Sequence, residues 1–295
     1  MTPSVDPGRY IIAVSGGVDS MVLLDLLQGQ PGVDLVVAHF DHGIRPDSSQ
    51  DKELVQWAAE CYGLPFEYEE GKLGPHASEA EARKARYDFL QRVKEKYHAK
   101  AIITAHHQDD LLETAILNLL RGTGRKGLTS LASRADIVRP LLPYSKQEIL
   151  VYAKEHELKW REDSTNADDA YLRNYVRHQI IPKLPDDARE RLLAELERTR
   201  TTNELIDTEL ADLLAAIADG GTLDRRAFNE LPHDVAKELL ATWLRQQGLT
   251  DFDKNTLERV VIAAKTKPPG MLVDLLHGNS LLVTKTQLAL RMCER

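Results

Sequence analysis

Tyr10-Ile11-Ile12-Ala13-Val14-Ser15-Gly16-Gly17-Val18-Asp19-Ser20 opens as a short apolar run and breaks at two adjacent glycines. The run is too short for a helix and carries β-branched residues, so it predicts a buried strand. Beyond the break, Val22, Leu23, Leu26 and Leu27 fall on one helical face. A strand, a glycine turn and a helix in that order put Ser15 to Ser20 at a helix N-terminus, where free N–H groups attract anions. The glycines let the backbone approach such an anion closely, and Ser15 and Ser20 add hydroxyl groups. The segment is not a Walker A loop, because the spacing differs and no lysine follows. The G-x-G-x-x-G dinucleotide pattern is absent as well. A Gly-Gly turn with a polar cap is the alternative that needs no ligand.

Outward from this unit, short β-branched runs alternate with longer amphipathic stretches, which predicts a parallel sheet with helices on both faces. The predicted strands cover residues 10–14, 34–38, 66–68, 101–104 and 137–138. The predicted helices cover about 50–62, 78–97 behind a Ser78/Glu81 capping box, and 109–120. After Pro182 and Pro185 the texture changes. Leu192, Leu196, Thr199, Asn203, Ile206, Leu210, Leu213 and Ile217 recur in steps of four and three, forming one seam of a long helix. The seam leaves a homodimer open through a coiled coil. Its two polar positions favour a connecting helix packed on its own chain. Two compact helices, about 232–247 and 253–265, and a hairpin over 271–284 follow. The expected fold class is α/β, with a doubly wound, mostly parallel, five-stranded Rossmann-like sheet in residues 1–185. A linker helix would occupy 186–219, and a small α+β C-terminal domain 220–295.

With 295 residues, 42% hydrophobic and 28% charged, the chain has the composition of a globular protein with room for two cores. No apolar run approaches the roughly 18 residues of a membrane span, and Met1 to Arg9 lacks the layout of a signal peptide. The two cysteines, Cys61 and Cys293, cannot build a disulfide framework, and no C-x-x-C pair offers a zinc or iron–sulfur site. A reducing, cytoplasmic setting without a membrane partner is the expectation. A net charge of −8 argues against a nucleic-acid partner, since phosphate binding depends on Lys and Arg. Locally the balance reverses: Arg121, Arg125, Lys126, Arg134, Arg139 and Lys146 face a single acid, Asp136, in that stretch. Arg161, Arg173, Arg177 and Lys183 continue the trend. Such a run also fits a solvated surface.

Three further segments carry chemistry. His39-Phe40-Asp41-His42-Gly43-Ile44-Arg45 follows the second strand, and in doubly wound sheets ligands sit at the carboxyl ends of strands. Its two histidines suggest a metal, but no third ligand lies at a suitable spacing. Thr104-Ala105-His106-His107-Gln108-Asp109-Asp110-Leu111-Leu112-Glu113-Thr114 follows the fourth strand to the same edge. Glu113 stands four residues after Asp109 and three after Asp110, so the carboxylates can share a helical face. Acids also favour a helix's first turn for its dipole alone, which is the alternative. Trp160 to Asn166 and Tyr171 to Arg177 form the last block, in which Arg173 and Arg177 stand i, i+4 as a phosphate clamp or as surface ion-pair partners.

Taken together, the four segments resemble the tRNA(Ile)-lysidine synthetases, within the superfamily of N-type PP-loop ATP pyrophosphatases. Ser15 to Ser20 matches the PP-loop, T-A-H-H-x-D-D-x-x-E-T matches the second signature, and E-D-x-[ST]-N with Y-x-R-N-x-x-R matches the last. The resemblance implies that Ser15, Gly16, Gly17, Val18, Asp19, Ser20 and Arg45 bind ATP, with Arg45 facing ATP or tRNA phosphate. It implies magnesium near Asp19 and Asp109, and free L-lysine held through its ammonium group by Asp110 and Glu113. The partner would be tRNA(Ile) with a CAU anticodon, contacted by Arg121, Arg125, Lys126, Arg173 and Arg177. Lysine must lose a proton before it attacks, and Asp110, Glu113, His106 and His107 all remain candidates for the base. The C-terminal third looks like the first tRNA-binding appendage of these enzymes, and the second appendage of longer members has no counterpart. Rival readings are a PP-loop tRNA thiolase, an amidotransferase-type PP-loop ligase, and an ATP-binding module without catalysis. The cysteine count speaks against the first, and the acidic cluster with the Arg173/Arg177 pair against the last.

Overall fold

Both faces of the first strand are apolar, which sets the architecture. The computed structural model describes residues 1–43, 48–71, 74, 78–161, 172–250, 252–275 and 277–293. In β1 (Gly8–Ala13), Tyr10 and Ile12 enter one core while Ile11 enters another on the opposite face. β2 (Val33–Asp41) repeats the division, with Leu35 and Val37 on one side and Val36, Ala38 and Phe40 on the other. Strands buried on both faces are the mark of a parallel sheet covered by helices. α1 (Val18–Leu27) and α2 (Ser48–Cys61) pack on the first core. β3 (Phe66–Glu70) lies at the sheet edge, and α3 (Glu79–Lys96) covers the second core through Phe89, Leu90 and Val93. The Ser78/Glu81 capping box that opens α3 is formed in both directions, as its sequence predicts.

β4 (Ala101–Ile103) pairs with β1, and β5 (Ile137–Val138) closes the sheet in the order β3-β2-β1-β4-β5, all parallel. Strand order reverses between β1 and β4, and crevices at such switch points hold ligands. Between these strands run α4 (Gln108–Leu120) and the single turn α5 (Arg125–Leu128). α6 (Lys146–Glu155) starts from a second capping box, Ser145 with Glu148, and its Ile149 and Ala153 enter the first core. α7 (Leu172–Tyr175) continues through a π turn, Val176–Ile180, and a 3₁₀ turn, Ile181–Lys183.

α8 (Asp186–Ile217) carries the predicted seam, with Leu196, Asn203 and Leu210 buried along it. The chain divides into two compact units, Met1–Arg200 and Thr201–Arg295, and α8 contributes to both. Its first turns belong with the parallel-sheet unit: Leu192, Leu193 and Leu196 pack with Leu112, Ala115, Leu117, Val176 and Ile181. The second unit contains β6 (Ala218–Asp219), β7 (Thr222–Asp224), α9 (Arg225–Glu230), α10 (His233–Gln246) and α11 (Lys254–Thr266). The predicted hairpin is present as β8 (Met271–Asp274) and β9 (Ser280–Val283). A further strand, β10 (Gln287–Arg291), inserts between β7 and β9, and the sheet runs β6-β7-β10-β9-β8, antiparallel throughout. Trp243, Phe228 and Leu281 lie fully buried in its core. Among the described residues no helix is long and apolar enough to cross a membrane.

Candidate active site

The loop after β1 is held open by its own hydroxyl groups. Gly16 adopts φ +89°, a conformation that side chains rarely take, which explains why glycine stands there. Gly17 is the N-cap of α1 with no side-chain cap, so the helix presents its first amide groups to whatever binds. The Ser15 amide donates to Ser20 Oγ at 3.1 Å, and the Ser20 hydroxyl donates to the Gly17 carbonyl at 2.9 Å. A cavity of about 410 Å³ lies above this loop, within the range of small-ligand sites. Its walls include Ser15, Gly17, Asp19 and Ser20 of the loop, His39 to His42 of β2 and its exit, and His106 after β4. All four sequence segments thus reach one edge of the sheet, the fourth through Arg161. Arg45, residues 162–166 and Tyr171 lie outside the described residues.

The second signature forms the head of α4. His107 is its N-cap: Nδ1 accepts the Asp109 amide at 3.2 Å, while the Asp110 carboxylate accepts the His107 amide at 3.0 Å. With Nδ1 accepting, the proton of the neutral ring sits on Nε2. That nitrogen lies 3.8 Å from Asp19 and 3.5 Å from Asp110. A buried histidine therefore stands between the phosphate loop and the acidic helix that it caps. His106 takes a different position, on the cavity wall with Nδ1 at 2.9 Å from Thr104 Oγ1. Burial pushes its pKa down to about 4, outweighing the opposing charge of Asp110, so it is neutral at pH 7.

Glu113 is 3% exposed. Burial pushes its carboxyl up to about 7 against the pull of Arg177, and the charge of Asp110 adds to the rise. Arg173 approaches Glu113 to 2.6 Å, and Arg177 bridges Glu113 at 2.8 Å and Asp110 at 3.2 Å. The i, i+4 arginines do project together, as their spacing predicts, but onto the acidic cluster. Three partners were not legible in the sequence. Lys146, at the start of α6, sits 2.6 Å from Asp19. Arg189 of α8 binds Asp109 and Gln108. Arg161 binds the buried Asp51 at 2.7 Å and lines the cavity. Only the Ser145/Glu148 capping box signals where Lys146 falls. Arg121 is exposed at the end of α4, and Arg125 and Lys126 lie half-buried on α5.

Among the described residues no three His, Cys, Asp or Glu side chains come together as a metal-holding group. Magnesium on a nucleotide needs only one or two carboxylates, because phosphates and water complete its shell. Asp19, on the cavity wall beside the phosphate loop, fits that requirement. Asp109 is engaged by Arg189 and does not line the cavity.

A parallel sheet with a serine–glycine phosphate loop at its switch point defines a PP-loop nucleotide-binding domain, and the PP-loop domain family matches residues 2–184. The chain is 37% identical over 262 residues to the tRNA(Ile)-lysidine synthase of Exiguobacterium sibiricum, covering 85% of this chain and 63% of that protein. It is 33% identical over 301 residues to the tRNA(Ile)-lysidine synthase of Chlorobaculum tepidum, covering 94% of this chain and 91% of that protein. Among solved structures, a U34-tRNA thiolase from Methanococcus maripaludis with its [4Fe-4S] cluster superposes with a TM-score of 0.54 at 17% identity. That match covers 66% of this chain and 73% of the thiolase, and it speaks for the fold alone. The chain belongs to the PP-loop domain family and, within it, to the tRNA(Ile)-lysidine synthases. It spans less than two thirds of the Exiguobacterium relative.

Proposed function

We propose that this chain converts the wobble cytidine of tRNA(Ile) with a CAU anticodon into lysidine, using ATP and free L-lysine. The observation that carries the proposal is His107, whose Nε2 stands 3.8 Å from Asp19 and 3.5 Å from Asp110. Through it a nucleotide loop and a carboxylate cluster suited to an ammonium group become one site. The C2 oxygen of cytidine is a poor leaving group. It attacks the α-phosphorus of ATP, pyrophosphate departs, and the oxygen becomes part of a good leaving group. The lysine ε-amino nitrogen then attacks C2, the C2–O bond breaks, and AMP leaves with that oxygen.

Gly17 and the amides of α1, with the Ser15 and Ser20 hydroxyls, would hold the departing pyrophosphate. Asp19 would hold magnesium, which supplies charge neutralisation on the phosphates when bound. Removing the proton from lysine at pH 7.4 costs roughly 4 kcal/mol against its reference pKa of about 10.4. Among the candidate bases, Glu113 has a pKa matched to the task, near 7, whereas His106 near 4 is too weak. Glu113 with Asp110 would orient the ammonium and Glu113 would take the proton. Arg177 and Arg173 hold the two carboxylates in place before lysine arrives. Arg121, Arg125 and Lys126 would contact tRNA phosphates. Incubating the protein with labelled lysine, ATP and the CAU-anticodon tRNA tests the reading. Lysine-dependent AMP release with label in the tRNA supports it, and label-free tRNA with ATP consumed points to another PP-loop reaction.

A further inference from the structure

His39 is 3% exposed and stands on the wall of the nucleotide cavity. Its Nδ1 lies 2.8 Å from the Val14 carbonyl oxygen, which can only accept, so Nδ1 carries the proton. A neutral ring then offers a lone pair at Nε2. Burial lowers the His39 pKa, outweighing the Val14 carbonyl and the charges of Asp41 and Asp51, and the nearby Lys52 lowers it further, so the neutral ring is favoured. Tyr68 stacks on it with an interplanar angle of 11°. Among the described residues Nε2 is buried and has no hydrogen-bond partner. Buried acceptors without partners are rare and costly in folded proteins, so a donor that arrives with the ligand accounts for this one.

The ligand's own chemistry narrows the donor. Phosphate oxygens accept, and the loop already supplies their donors. The remaining N–H and O–H groups of ATP are the adenine amino group and the ribose hydroxyls. We infer that His39 reads the nucleoside half of the nucleotide, its Nε2 accepting a hydrogen bond from the adenine amino group or a ribose hydroxyl. The inference rests on the nucleotide-binding reading above. It makes His39, which leans on Val14 beside the phosphate loop, a specificity residue for the nucleoside half.

The test uses the full chain and measures dissociation constants for ATP, inosine triphosphate, 2′-deoxy-ATP, 3′-deoxy-ATP and inorganic pyrophosphate by calorimetry. His39→Asn keeps a donor near Val14 and removes the Nε2 acceptor, and His39→Phe keeps the ring stack as a second variant. The wild-type protein should bind one analogue about tenfold or more weaker than ATP. Loss on inosine triphosphate identifies the amino group, and loss on a deoxy analogue identifies that hydroxyl. Both variants should lose the same factor on ATP, show no further loss on that analogue, and bind pyrophosphate like the wild type. Unchanged ATP affinity in both variants overturns the inference, as does an equal loss of ATP and pyrophosphate binding. A wild-type protein that binds no ATP would instead overturn the nucleotide reading itself.

Discussion

A fragment ending at Pro185 will be far less stable than one ending at Arg200. The shorter cut removes Leu196, which is 6% exposed, together with Leu192 and Leu193, all packed on Leu112, Ala115, Leu117, Val176 and Ile181. Burying one leucine completely contributes about 1.5–3 kcal/mol, so one full and two half burials sum to about 3–6 kcal/mol. A domain of this size holds about 5–15 kcal/mol in total. The cut also strips Arg189 from Asp109 and Gln108 at the head of α4. At about 2–4 °C per kcal/mol, the melting midpoint should fall by about 6–24 °C between the fragments. Circular dichroism melts of residues 1–185 and 1–200, with an ATP titration of each, measure this. Midpoints within about 3 °C of each other would refute the claim that the first turns of α8 complete the catalytic unit.

Asp19→Ala should abolish pyrophosphate release while shifting the melting midpoint by no more than about 3 °C, since the side chain is partly exposed and fills no core. Unaltered release would remove Asp19 from the nucleotide site. Glu113→Gln should spare adenylation and cut lysine transfer at least about tenfold, so that adenylated tRNA accumulates on a gel. Equal losses in both half-reactions would place Glu113 in the ATP site or in the fold. Because burial raises the Glu113 carboxyl to about 7, lysine transfer should climb as pH rises through 7 and the group ionises. That inflection should vanish in Glu113→Gln, leaving only the rise from the amine itself, and its persistence would assign it to another group. Arg121→Ala should weaken every tRNA alike and lower the salt slope of binding by about 0.7–0.9, as expected for one phosphate contact. An unchanged slope in filter binding would return Arg121 to the solvated surface.

What the sequence determined by itself was local. Strand, turn and helix around Ser15 to Ser20, the Ser78/Glu81 cap, the seam of α8 and the hairpin at 271–284 all follow from period, glycine chemistry and capping. These properties depend on neighbours within a few residues. The chemistry-bearing residues were legible for the same reason, since His106 to Glu113 and Arg173 with Arg177 sit at fixed helical spacings. Tertiary structure alone decided the partners. Lys146 meets Asp19 across 127 positions of sequence, Arg189 meets Asp109 across 80, and Arg177 meets Glu113 across 64. Which charges meet depends on strand order and on the packing of α4, α6, α7 and α8, and no spacing in the chain encodes that. The same holds for β10, whose place between β7 and β9 comes from pairing with strands far away in sequence. It holds most plainly for His39. Its motif marks a polar loop exit, but a buried nitrogen without a partner among the described residues appears only when the surrounding sheet has closed over it.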